Sequence, residues 1–287
     1  MSAAGPWRDP LARTLQKTSV RIALGVLAAF ALIAILAPLI APHDPILPLD
    51  AVKLKDHPPS LAFPLGTDPS SRDVLSRLIY GARVSLAVSI FSVLVAVSIG
   101  TALGAVTGYF GGIVDTVIMR VIDALLSVPR VLLLFAVASL WGKLGVPALI
   151  LILGLTGWFG LTRLVRAEVL EVKQRDFVLA AQALGTSHRR ILVRHVLPHA
   201  MTSVTVASAL GVASAIIIEA GMSFLGIGVA QPTPSWGNMI FDGSSAPHTH
   251  WWVSLFPGLA LAITVIAVNV VADGLREALS PRQLPAR

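Results

Sequence analysis

Cysteine is absent from the 287-residue chain, which excludes a disulfide framework and any thiolate-ligated metal site. Charge is scarce as well: Asp, Glu, Lys and Arg make up 13% of residues, against about 25% in ordinary soluble domains. Hydrophobic residues reach 55% and mean hydropathy is +0.80, so the composition is that of a membrane protein. Signatures of bond chemistry are also missing. Gly142-Lys143 is followed by Leu144 and lacks the upstream glycine of a phosphate-cradling P-loop. Neither H-E-x-x-H nor G-x-S-x-G occurs, which weakens metalloprotease and hydrolase readings. The seven histidines form no metal-ligand pattern. His195 and His199 are four apart, but Pro198 lies between them and Arg194 adjoins, so they read as loop or interface residues. The formal charge of +7 does not indicate a nucleic-acid partner, because the basic residues cluster in loops beside apolar runs.

What remains is long apolar runs. A membrane-crossing helix needs about 20 mostly apolar residues. Six candidates are present: Ile22 to Ala41, Val84 to Gly108, Val121 to Trp141, Val146 to Leu161, Ala200 to Ile218 and Val253 to Ala272. The first follows Arg8, Arg13, Lys17 and Arg21, and its length suits a retained signal anchor better than a cleaved signal peptide. Gly100, Gly104 and Gly108 fall on one face of the second and permit close helix–helix packing, or are simply small residues of a membrane helix. Trp251 and Trp252 before the sixth suit an interfacial aromatic pair.

The segment from Arg163 to His195 holds seven Lys or Arg residues, whereas Ser223 to Trp252 holds none. The positive-inside rule therefore puts the first of these loops and both termini in the cytoplasm. The expected organisation is a cytoplasmic N-terminal segment 1–21, then a first span and external loop over 22–83. A five-helix core over 84–275 follows, with its cytoplasmic loop at 163–199, and the chain closes with a tail at 276–287.

Three segments between the spans carry further expectations. Asp68-Pro69 is a good N-cap and N1 pair. Val74, Leu75, Leu78 and Ile79 then share a face, which predicts a short amphipathic helix along the outer surface. The uncharged stretch after Glu219, rich in Gly and Pro up to Ile240, suits a re-entrant or pore-mouth segment, or an inert connector. The third is DFVLAAQALGTSHRRILVRHVLPHA, Asp176 to Ala200. Phe177 to Leu184 form a helix with Ala180, Ala181 and Ala183 keeping its surface shallow. Gly185 ends it in the left-handed conformation, Thr186 or Ser187 caps a second, basic helix with Arg189 and Arg190, and Pro198 marks the bend into the fifth span. Such a knob suits a groove on a soluble partner, and a plain solvated loop is the alternative.

The segment AAQALGTSHRRILVRHVLP resembles the cytoplasmic "EAA" loop of ABC importer permeases. PLGTDPSSRDVLSRLIYGARVSL, GYFGGIVDTVIMRVIDALLSVP, EAGMSFLGIGVAQPTPSWGNM and PGLALAITVIAVNVVADGLREALSPR resemble, in order, the dipeptide/oligopeptide/nickel branch and specifically its C-type subunit. Four positions depart from that pattern: Leu179 stands for the loop's glutamate, Gln182 for arginine, His199 for asparagine and Ser71 for glycine. The resemblance implies an all-α membrane protein with six transmembrane helices, of the type I, methionine-permease-like fold, in a bacterial inner membrane. It implies a homologous B-type subunit, two cytoplasmic ATPases that hold ATP and Mg, an extracytoplasmic substrate-binding protein and a peptide cargo, with no cofactor on this chain and no catalysis by it. Nickel or another small solute such as glutathione is the alternative cargo. A self-sufficient secondary transporter is the alternative class, and would leave the Gly185 knob unexplained. By the same resemblance, Ala180, Ala181, Ala183, Leu184, Gly185, Thr186, Ser187, Arg189, Arg190 and Pro198 form the coupling helix and its flanks, which dock on an ATPase.

Charges within spans are candidates for a substrate pathway, since each costs about 2.5–3.5 kcal/mol at a helix centre. They are Asp123, Arg130 and Glu219. Asp123 is expected near the cytoplasmic interface and Glu219 near the outer end, where the cost is lower and a structural role is the favoured reading; for Arg130 pathway and structure stand level.

Overall fold

The computed structural model describes residues 14–50, 53–142, 144–245 and 247–279. Arg8 and Arg13, Lys143 and most of the C-terminal tail lie outside the described residues. In chain order the helices are α1 (Thr18–Ile35), the short α2 (Ala37–Ile40), α3 (Val74–Phe110), α4 (Gly112–Leu126), α5 (Arg130–Trp141) and α6 (Val146–Val172). There follow α7 (Asp176–Ala183), α8 (His188–Ile191), a π-turn at Leu192–Val196, α9 (Leu197–Phe224), α10 (Trp236–Ser244) and α11 (Trp251–Leu279). Among the described residues five helices are long and apolar enough to cross a bilayer: α1, α3, α6, the composite His188–Phe224 and α11. Counting α4 and α5 as one bent span gives six.

Several boundaries differ from the sequence expectation. The first span stops at Ile35 rather than Ala41. Pro38 has no N–H to offer a continuing helix, so the chain breaks at Leu36 and restarts as α2. The separate amphipathic helix does not exist: Val74 to Arg83 are the opening turns of the 37-residue α3. Its N-cap is Asp73, whose carboxylate accepts from the Ser76 amide at 2.9 Å. Asp68, expected in that role, instead accepts from the Ser70 and Arg72 amides, each at 2.9 Å, and closes a turn.

Ser71 in that turn has φ +58°, the region that favours glycine, and its buried hydroxyl has no hydrogen-bond partner. Ser71→Gly removes both penalties and should stabilise the protein by about 1–2 kcal/mol. A Tm in detergent that stays level or falls would refute this. Beside the turn, Arg72 and Arg77 pair with Asp68 and Asp242 in a closed cluster that ties α3 to α10. Burial pushes the Asp242 carboxyl up, against the opposing pull of the two arginines.

The third span is not one rod. α4 and α5 meet at 88° across Ser127, Val128 and Pro129, because Pro129 cannot donate and disfavours helical backbone at Val128. Pro129 takes the N-cap position of α5, and its carbonyl accepts from Leu132 and Leu133. The fourth span runs past its expected end at Leu161 to Val172, since Arg163 and Arg166 find Asp123 and Asp115 on α4. Pro198 does not bend the entry to the fifth span. The wider turn at Leu192–Val196 absorbs the missing donor, and the helix continues to Phe224.

The core is built on α3 against α6, the most extensive helix pairing in the fold. The glycine stripe is the seam. A Cβ on Gly100 would lie 2.7 Å from Leu161 Cβ, and one on Gly104 only 2.6 Å from Val165 Cβ. Gly154 answers from α6, where a Cβ would lie 2.7 Å from Val95 Cβ. α9 and α11 pack around this pair, while α1 lies on α11 and α3 with Ile22, Leu32 and Ile35 exposed on its outer side. The Gly- and Pro-rich stretch after Phe224 is no loose connector, for α10 folds back between α3, α9 and α11. Trp236 is fully buried and its amide donates to Ser85 Oγ at 3.2 Å. Of the two tryptophans expected at an interface, Trp252 is buried and donates to the Thr67 carbonyl at 3.1 Å; only Trp251 is exposed.

Candidate functional site

At one end of the bundle α7 and α8 form a projection beyond α6 and α9. Gly185 has φ +74°. Its amide donates to the Gln182 carbonyl at 2.9 Å and the Thr186 amide to Ala181 at 3.1 Å. These two bonds make a Schellman turn, which a left-handed residue at position 185 requires. Ser187 holds the N-cap position of α8, without a side-chain cap.

The projection is exposed at its tip and clamped at its root. Leu184 is 86% exposed, and Ala180, Ala183, Arg189, Arg190 and Pro198 are also exposed. Ala181 and Thr186 are half-buried. Below them Val165, Val169 and Val172 of α6, Val178 of α7, Ile191 of α8 and Val196 of the π-turn form one buried cluster, into which Ala181 also packs. Tyr109 Oη and His188 Nδ1 lie 3.0 Å apart, and Lys173 donates to the Gly108 carbonyl at 3.0 Å. Phe177 stacks on His199 with ring centroids 5.1 Å apart, so the histidine at the departed asparagine position braces the knob. Leu179, at the glutamate position, sits beside Tyr109 and Gln182 in a shallow groove. The tip is thus joined to α6 and α9 through closely packed side chains. The clamp residues were not singled out by sequence reasoning; the i, i+4, i+7 spacing of Val165, Val169 and Val172 was the available signal.

The three charged candidates fall in three different settings. Asp123 pairs with Arg163, both about half exposed. Glu219 is 0% exposed: its carboxylate accepts from Ser85 Oγ and Ser223 Oγ, each at 2.8 Å. Those serines in turn accept from the amides of Trp236 and Val229, so Glu219 ties α3, α9 and the segment before α10 together. Arg130 opens α5 at the broken span and faces a half-open cavity of about 330 Å³ between α3, α6 and α9. A larger cavity of about 660 Å³ shares Ala207 and Leu210 with it and reaches Glu168, His199 and Arg276. Sequence reasoning missed Glu168 and the Asp115–Arg166 pair, which binds bidentately at 2.5 and 2.6 Å. Nothing in local spacing announces a partner fifty-one positions away.

Comparison with known proteins gives this arrangement a family. Residues 100–284 match the family described as "Binding-protein-dependent transport system inner membrane component". Residues 5–59 match the "N-terminal TM domain of oligopeptide transport permease C". The dipeptide transport system permease protein DppC of Alkalihalophilus pseudofirmus is 36% identical over 282 residues, 98% of this chain and 91% of that protein. The oligopeptide permease OppC of Bacillus subtilis is 36% identical, over 96% of this chain and 90% of its own length. The glutathione permease GsiD of Pectobacterium atrosepticum is 39% identical, over 98% and 93%. Among solved structures, the inward-facing MetNI methionine ABC transporter matches with a TM-score of 0.57 at 20% identity, covering 71% of this chain and 96% of that one; the likeness is one of fold. Two family matches in sequence order and relatives aligned almost end to end agree: the chain belongs to the binding-protein-dependent transport system inner membrane components, as a multi-pass permease subunit of an ABC importer.

Proposed function

We propose that this chain forms half of the path by which a bacterial inner-membrane importer takes up di- or oligopeptides. A homologous B-type permease supplies the other half, and an extracytoplasmic binding protein delivers the cargo. Both termini and the Gly185 knob face the cytoplasm, where the knob docks on one of two ATPase subunits that hold ATP and Mg. Ala180, Ala183 and Leu184 supply the contact surface, Gly185 the turn, and Arg189 and Arg190 the polar contacts; Ala181 and Thr186 hold the knob to its root. ATP-driven closure of the ATPases pushes the knob, and α6 and α9 carry the motion to the cavities beside Arg130 and Glu168.

The observation that carries this reading is the knob itself. A tip with Leu184 86% exposed, fixed by a Schellman turn and rooted in a buried valine cluster, is a rigid apolar contact without a partner among the described residues. Peptide cargo is supported by the names of the dipeptide, oligopeptide and glutathione permeases it resembles. Purifying the assembled complex with its binding protein tests both parts. An ATPase should co-purify, and peptide, not nickel, should stimulate ATP hydrolysis. Stimulation by nickel alone would overturn the cargo, and ion-driven uptake by this chain alone would overturn the importer mechanism.

A further inference from the structure

Among the described residues, the arginines that are not exposed are neutralised, with one exception. Arg72 and Arg77 pair with Asp68 and Asp242, and Arg166 with Asp115. Arg130 donates from Nη2 to the Leu153 carbonyl at 3.2 Å, its Nε is buried without a hydrogen-bond partner, and among the described residues it enters no ion pair. The guanidinium lies against the cavity of about 330 Å³, whose walls include Ser92 and Ala96 of α3, Gly157 of α6, and Gly211 and Ser214 of α9. Among the described residues no other charged side chain lines that cavity. Small residues give it room: a Cβ on Gly157 would lie 3.2 Å from Arg130 Nη2 and 3.1 Å from Ala96 Cβ. The larger cavity that shares Ala207 and Leu210 continues from it toward the Gly185 end.

An uncompensated cation kept at membrane depth, with donors to spare and space in front of it, is built to meet an anion that comes and goes. We propose that Arg130 is a transit site for the α-carboxylate of the peptide cargo, received in this cavity during passage; the inference rests on the peptide-importer reading above. Guanidinium suits the task for two reasons. Its planar fork matches a carboxylate bidentately, and it is more weakly hydrated than an ammonium group. The single bond to Leu153 holds the group in place while most of its five N–H donors stay free. One unpaired charge, without a cage of further donors, also lets the cargo leave, as conduction requires. The same charge repels a bare metal cation.

The test uses the assembled importer in proteoliposomes with trialanine and trialanine amide, each supplied at concentrations that saturate the binding protein. The wild type should import the acid faster than the amide. Arg130→Gln should lower that acid-over-amide ratio roughly tenfold, the scale of one lost charge-assisted contact, and Arg130→Lys should lower it less. Subunit stoichiometry and Tm of each purified complex check assembly. Should Arg130→Gln fail to assemble, Gly157→Ala crowds the guanidinium without removing its charge, and should lower the ratio in the same direction. An unchanged ratio in the assembled variant overturns the inference, as does a wild type without preference for the acid. A wild type that imports neither peptide overturns the cargo reading instead, which keeps the two failures apart.

Discussion

Replacing Gly185 by valine should cut peptide uptake per ATP hydrolysed on the order of tenfold, within the usual range for energetic coupling between sites, while the protein still inserts and assembles. The reason lies in the backbone. Gly185 has φ +74°, and a β-branched residue there costs about 1–2 kcal/mol or more. No atom lies within 4 Å of a Cβ at this position, so there is no clash to relieve by side-chain movement. The strain is relieved only by opening the turn, at the expense of the bonds from Gly185 to Gln182 and from Thr186 to Ala181. That reorients α7 against α8 and moves Leu184 relative to Arg189 and Arg190. The spans are untouched, because Val178 and Ile191 remain in the buried cluster below. Asparagine tolerates the left-handed region better than other non-glycine residues, so Gly185→Asn should recover much of the coupling. Uptake and ATP hydrolysis measured together in proteoliposomes check this. Normal uptake per ATP in the valine variant would remove the knob from the coupling route.

That turn was legible in the sequence because it is local. An Ala-rich helix followed by a glycine specifies its own turn through backbone bonds, although the Ser/Thr side-chain cap expected there is not made. The spans were legible in number, since a bilayer demands long apolar runs whatever they pack against. Their ends were not. Arg163 looked like the end of a span, yet α6 continues to Val172 because Asp123 and Asp115 stand opposite on α4. The run Val121 to Trp141 was expected as one span, but it breaks at Pro129, and the 88° angle is fixed by where α4 and α5 pack. Pro198 announced a bend that a π-turn absorbs. The charged candidates show the same division. Sequence selects Asp123, Arg130 and Glu219 as costly. Only tertiary contacts separate an ion-paired Asp123 and a Glu219 held by serines from an Arg130 facing open space.

Gly104→Val should destabilise the seam between α3 and α6 strongly, at about 3 kcal/mol or more, the upper end for overpacking. A Cβ at 104 would lie 2.6 Å from Val165 Cβ and 2.7 Å from the Thr162 carbonyl oxygen. Carbon contacts settle at about 3.5–4.0 Å, so α3 and α6 must part by roughly 1 Å. A backbone oxygen cannot rotate away as a side chain can. The displacement also pulls on Gly100 and Gly108, whose own Cβ positions would meet Leu161, Arg166 and Val169. In lipid this loss is not offset by hydrophobic drive, because helices associate there by close packing and hydrogen bonds. Gly25→Val is the matched control: nothing lies within 4 Å of a Cβ at Gly25 on α1, and its cost should stay within about 0.5 kcal/mol. Val165 belongs both to the seam and to the cluster under the knob. Gly104→Val should therefore loosen the knob's root as well, lowering uptake per ATP along with Tm. A double-mutant cycle separates seam from composition. Gly104→Ala combined with Val165→Gly should cost less than the two single changes added, because losing the Val165 Cβ vacates the space the new methyl needs. Strict additivity, or a Gly104→Val protein that melts with the wild type, would mean that this seam does not hold the bundle together.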